Sequence, residues 1–101
     1  MGLITFLLGW HRGWLAARGG RVDIRFGASD EGLPKRSAWV EMESLHRSGQ
    51  LTVWESGETE LEVNDITSLA LVFAKSGNVE SPEELNDLLA ELLWQVEHDD
   101  A

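Results

Sequence analysis

Between Ser37 and Ala74 the chain reads SAWVEMESL, GQLTVWES, ETELEVNDI and SLALVFA, four runs of strand length separated by turn-prone residues. In the first three runs one parity is apolar and the other carries acids, threonine or tryptophan. Successive strand side chains point to opposite faces, so this alternation predicts strands with one face buried and one offered to solvent. The strands expected are 37–45, 50–55, 58–66 and 68–74. In the last, Leu69, Leu71 and Phe73 oppose Ala70, Val72 and Ala74, so both parities are apolar. That composition predicts a central or doubly covered strand, or one that faces small groups. Arg47, Ser48 and Gly49 are expected to turn the chain before the second of these strands, and Ser56-Gly57 to form a tight turn after it.

Upstream, Val22, Ile24 and Phe26 alternate with Asp23 and Arg25, which predicts a further strand over 21–27. Residues 28–36 (ASDEGLPKR up to Arg36) are polar with Gly and Pro and read as a loop. Before that, Leu3, Leu7, Trp10, Trp14 and Ala17 fall at helical spacing and predict a helix over 3–18, closed by Gly19 and Gly20. Ile4, Leu8 and Leu15 widen its apolar sector. Gly9 and Gly13 weaken it and, on the far side from Ile4 and Leu8, leave room for something to approach the helix backbone closely. At the other end, Ser81-Pro82-Glu83-Glu84 combines an N-cap, a proline at the first helical position and a capping-box glutamate. A helix over 82–97 follows, with Leu85, Leu88, Leu89, Leu92 and Val96 as its core face and HDDA as a frayed tail. Trp94 lies roughly 180° from Leu85 at 100° per residue, outside that face.

The order is therefore α-β-β-β-β-β-α. Short links between consecutive strands predict an α+β fold, a five-stranded antiparallel meander with both helices packed on one face. A length of 101 residues predicts a single domain over 1–101.

Charge changes the picture. The net charge is −10, with 8 Lys plus Arg against 18 Asp plus Glu. Residues 1–36 hold six basic and three acidic groups, whereas residues 37–101 hold two basic and fifteen acidic ones. The acidity belongs to the sheet and the C-terminal segment. It argues against nucleic acid or an anionic membrane as partner, because both need a cationic surface, and it suits a partner with a basic surface. High negative charge is equally a solubility device. There is no cysteine, which fits a cytoplasmic protein. The apolar opening MGLITFLLGW lacks a basic leader and meets His11 and Arg12 too soon for a membrane span. Gly2 invites N-myristoylation, but Phe6 stands where that signal has Ser or Thr. Neither an anchor nor a signal peptide is expected.

Catalytic chemistry has little to stand on. His11, His46 and His98 are scattered without ligand spacing, so no metal is expected. Glu41, Glu43, Glu60 and Glu62 resemble paired carboxylates, yet their regular alternation describes a solvated sheet face, and nothing sets one acid apart from another. GASDEG follows a strand but opens no helix, so it is no phosphate loop. No cofactor and no enzymatic activity are expected.

Tryptophan says more: the chain has five, and no tyrosine. Trp10 and Trp14 belong to a helix core face. Trp39 and Trp54 share the parity of the acids. Two readings of these rings stand open: a second small core under a loop or the first helix, or an anchoring patch whose rings supply desolvation energy while the carboxylates steer a cationic partner.

The strings SAWVEMES and GQLTVWESGETELEVND, followed by a strand and a Leu-rich helix begun by SPEEL, resemble the small immunity proteins of bacterial polymorphic toxin systems, in particular the TriTu family. The resemblance covers roughly residues 37–96 and centres on Trp54 to Glu58. It implies a non-catalytic cytoplasmic protein that binds and blocks a cognate toxin domain. It carries over Trp39, Trp54, Glu55, Glu58, Glu62 and Asp65 as members of the matching strings. With the alternation, the partner-binding candidates are Trp39, Glu41, Glu43, Trp54, Glu55, Glu58, Glu60, Glu62, Asp65 and Trp94. Two other functions compete: an adaptor or secretion chaperone binding a partner through the apolar N-terminal helix, and a nucleic-acid mimic acting through acid spacing alone.

Overall fold

The computed structural model describes residues 2–17, 22–29 and 35–98, with only the backbone of 15–17. Gly19, Gly20, Arg21, the loop centre at 30–34 and the last three residues of the HDDA tail lie outside the described residues, as does the side chain of Leu15. The elements are α1 (Leu3–Ala17), β1 (Asp23–Ala28), β2 (Ser37–Glu43), β3 (Arg47–Trp54), β4 (Glu58–Asp65), β5 (Leu71–Asn78) and α2 (Pro82–Glu97). The five strands pair in sequence order, each antiparallel to the next, so β1 and β5 are the edges. Both helices pack on one face, and the fold is the expected α+β meander.

Register explains the core. Ile24 lies opposite Met42, Phe26 opposite Val40, Val40 opposite Leu51, and Leu51 opposite Leu61, so one parity of the first four strands forms a continuous apolar surface. Val40, Met42, Leu51 and Val63 are fully buried there beneath Leu85, Leu89, Leu92 and Val96 of α2 and Leu7 of α1. Gly49 lies on this face where α2 crosses β3. A Cβ there would sit 2.7 Å from Leu92 Cδ1 and 2.9 Å from Val96 Cγ2. The missing side chain lets the helix approach the sheet.

Polar bonds fix the helices. The His11 ring, through Nε2, donates to the Ile24 carbonyl at 2.9 Å and stacks on Phe26, which ties α1 to the β1 edge. Trp10 and Trp14 stack with ring centres 6.2 Å apart and pack against the core while partly exposed. A Cβ at Gly9 or Gly13 would meet nothing within 4 Å among the described residues, so no backbone approaches there. Arg47 donates to the Gln95 carbonyl at 2.7 Å, placing a cation at the C-terminal turn of α2, where the helix dipole favours one. Ser81 caps α2 by accepting from the Glu84 amide at 3.3 Å. The returning bond falls one residue early, from the Glu80 amide to Glu84 Oε1 at 2.6 Å.

Several boundaries differ from expectation for physical reasons, and β1 runs to Ala28, one residue into the expected loop. The first turn of the meander is Ser44–His46, and the expected turn residues Arg47, Ser48 and Gly49 belong to β3, which starts at 47 and not 50. Their backbones are needed in two ladders at once, Gly49 facing both Met42 and Val63. The strand expected over 37–45 therefore ends at Glu43. The largest correction concerns the last strand. It spans 71–78 and not 68–74, and it is an exposed edge where a central or doubly covered strand was expected. Residues 66–70 make the β4–β5 turn, ending β4 at Asp65. At the β3–β4 turn Gly57 takes φ 110°, and a Cβ there would lie 2.6 Å from the Val79 carbonyl oxygen. Only glycine fits without strain.

Candidate functional site

The helices leave the other parity of the sheet uncovered. Across its middle, Arg25, Glu41, Gln50, Glu62 and Ala74 form one cross-strand row, and Gly27, Trp39, Thr52, Glu60 and Ser76 form the next. Glu43 continues the β2 side beyond the first row, and Trp54 stands beyond the second, opposite Ser37. Seven of the candidate residues thus share one face: Trp39, Glu41, Glu43, Trp54, Glu58, Glu60 and Glu62. The acids fall in two stripes, on β2 and on β4, about 10 Å apart by strand spacing. Between them β3 presents only Ser48, Gln50, Thr52 and Trp54 on this side. No acid of β2 directly faces one of β4, but at the end of the β1–β2 ladder Asp23 lies opposite Glu43, which adds like charge there.

Both tryptophans are partly exposed on this face, and neither ring is sealed beneath a helix. Trp39 lies on Gly27 of the edge strand. A Cβ at Gly27 would stand 2.5 Å from the indole, so the bare backbone is the ring's seat. Lys35 sits 5.9 Å from the Trp54 ring centre, a cation–π arrangement, and pairs with Glu58. Those two contacts frame the end of the face with a local, neutralised pair.

The acids are not electrostatically alike. Hydrogen bonding from Lys35, then from Ser56, holds the Glu58 carboxyl down at about 2. Glu41 has Arg25 at 3.5 Å, and Glu55, in the β3–β4 turn, has Arg36 at 4.0 Å. Among the described residues Glu43 and Glu60 have no ion-pair partner, and Glu62 accepts only from the Asn64 amide at 3.1 Å. The uncompensated charge therefore gathers on Glu43, Glu60 and Glu62.

Two further candidates lie apart from these stripes. Asp65 accepts from the Ser68 amide at 2.8 Å and from its hydroxyl at 3.2 Å, and the backbone bond keeps its carboxyl below the usual range. It shapes the β4–β5 turn. Trp94, 55% exposed and stacked on His98 at 4.3 Å, belongs to α2. The sheet and core separate it from the acidic stripes.

Sequence reasoning missed Gly27, Lys35 and Arg36 as neighbours of the site. Parity alone places Gly27 on the open face, but its role as a seat depends on the β1–β2 register. No group of three or more His, Cys, Asp or Glu able to hold a metal ion occurs among the described residues. No helix there is long and apolar enough to cross a membrane.

Comparison with known proteins gives one family. The model for "Immunity protein TriTu" matches residues 11–94, from the middle of α1 to the last turns of α2, further toward the N-terminus than the resemblance read from 37–96. No curated protein matches the chain.

Proposed function

The chain belongs to the TriTu family of immunity proteins, and on that premise we propose that it binds a cognate toxin domain through the acidic, tryptophan-bearing face of its sheet and blocks it without catalysis. The toxin is a protein with a basic surface, met in the cytoplasm of a bacterium that carries a polymorphic toxin system. The observation that carries this is the register, which puts Trp39, Trp54, Glu41, Glu43, Glu60 and Glu62 on the face the helices leave open. Broad, partly exposed indoles suit desolvated anchors, and the uncompensated carboxylates of Glu43, Glu60 and Glu62 raise the encounter rate with a cationic surface. The N-terminal helix supports the adaptor function less well, since Leu3, Ile4, Phe6, Leu7, Trp10 and Trp14 already pack against the core.

Inhibition of the toxin domain encoded beside this chain tests the proposal, using two sets of variants. Trp39→Ala and Trp54→Ala should each raise the concentration needed for half inhibition by tenfold or more, with the folded spectrum retained. Changing Glu41, Glu43, Glu60 and Glu62 together to Gln should slow association and remove most of its salt dependence. If the four-Gln variant alone abolishes inhibition and the tryptophan variants behave as wild type, charge mimicry is the mechanism. If neither set has any effect, the open face is not the docking surface.

A further inference from the structure

The two sheet edges are finished differently. At β1, His11 of α1 covers the Ile24 carbonyl, and α1 lies against the strand. Among the described residues, the β5 backbone runs beside β4 alone, and only side chains such as Lys75 and Phe73 reach toward α2 and the core. Among the described residues no backbone hydrogen bond reaches the outer edge of β5. Soluble proteins commonly protect such an edge with charge, proline or a short strand. Here the edge has eight residues with one irregularity near its start, where Val63 pairs with Phe73 and Asn64 with Leu71 so that Val72 is passed over; from Phe73 on it is regular, and its one charged side chain, Lys75, is engaged with Glu91 at 3.3 Å.

The same edge and the turn leading into it carry a cluster of exposed apolar residues, whereas Leu45, the other strongly exposed leucine of the sheet, stands alone in the β2–β3 turn. Leu69, Leu71 and Val72 are 80, 59 and 40% exposed, and Ile66 stands in the same turn. Leu69 also adopts φ 63°, a left-handed conformation unfavourable for a leucine because its Cβ crowds the following carbonyl oxygen. Asp65 maintains it, through its carbonyl to the Leu69 amide at 2.9 Å and its carboxylate to Ser68. A large apolar side chain is thus held outward at a conformational cost, beside an unpaired strand.

Charge selects the occupant. On the open side β5 adjoins Glu60 and Glu62 of β4. On the helix side a groove between α2 and β5 is lined by Leu61, Val79, Leu88, Glu84, Asp87 and Glu91. A second copy of this chain would bring its own acids against these, doubling a charge of −10. A cationic strand would be drawn in on both sides.

Resting on the toxin-binding function above, we propose that β5 is an augmentation edge: an extended segment of the toxin pairs with it as a sixth strand, setting apolar side chains on Leu69, Leu71 and Val72 and cationic ones toward the groove acids Glu84, Asp87 and Glu91. Backbone bonds to β5 then supply affinity and the alternating side chains supply specificity. The toxin surface is gripped at an edge that continues directly into the acidic face.

Amide hydrogen exchange of the full chain, alone and bound to the toxin domain encoded beside it, tests this together with calorimetric titration. Amides in 71–78 should be slowed at least tenfold in the complex. Leu69→Asn suits the left-handed backbone and removes only the apolar contact; it should leave the unfolding midpoint equal or higher and weaken binding at least tenfold, as should Val72→Lys. Unchanged β5 exchange with unchanged affinity in both variants overturns the edge proposal. If Trp39→Ala still loosens the complex in that case, toxin binding by the open face stands. If no variant on either surface matters, or the toxin does not bind, both fail. A free chain that sediments as a dimer with 71–78 already protected also overturns it, in favour of self-pairing.

Discussion

The two faces of this sheet are made from the same strands, yet they bear different kinds of constraint. On the covered face each position is set by its neighbours: Gly49 is small because α2 crosses it, and Leu51, Val63, Leu85 and Leu92 interlock with no exposure. On the open face the side chains meet mainly water. There, among the described residues, Glu43 and Glu60 lack cationic partners, and the indoles of Trp39 and Trp54 remain partly wet. A face whose composition folding does not dictate is free to be shaped by a partner. The β5 edge extends the contrast, since its exposed leucines gain nothing from the core.

Substitutions can break that comparison, and the largest effect is expected on the covered face. Leu89→Ala should cost about 2–5 kcal/mol in denaturant unfolding, as truncation of a fully buried leucine does, with toxin affinity per folded molecule unchanged. Gly57→Ala should follow at about 1–3 kcal/mol, because it forces φ 110° on a residue with a Cβ and crowds the Val79 carbonyl. Gly27→Ala sharpens the comparison from the other side. It should unseat the Trp39 indole, seen as a shifted indole Nε1–H resonance, at a stability cost within about 1 kcal/mol, while weakening the toxin complex. The smallest effect is a pH effect. Glu58 has its folded value lowered to about 2 from 4.5, so its bonds to Lys35 and Ser56 stabilise the folded chain fully above the unfolded value. That contribution is lost as pH falls through the folded value. A carboxyl resonance titrating near 2 is expected; one titrating near 4.5 would show that the pair does not persist in solution.

Much of this arrangement was legible in the alternation itself. The parity of SAWVEME, LTVW and ETELEV fixed which side chains share a face, and the S-P-E-E start placed α2 at its observed bounds. What escaped were features decided between strands. SLALVFA has no period, because both parities are apolar, so nothing in it indicates where pairing begins or that the strand is an edge. The polar Arg47, Ser48 and Gly49 resemble a turn until their two ladders are seen. Trp94 was correctly separated from the helix core face by its angle, but only the packing of α2 shows that it points away from the acids. Asp65 carries the same formal charge as its neighbours, and its engagement in the turn depends on Ser68 three residues on.

The most direct test is calorimetric titration of the neighbouring toxin domain with the wild-type chain and with a Trp39→Ala/Trp54→Ala double variant, each matched for unfolding midpoint. A complex weakened at least a hundredfold in the double variant, with its midpoint within a few degrees of wild type, is the predicted result. Equal affinity in a folded double variant would contradict docking through the open face.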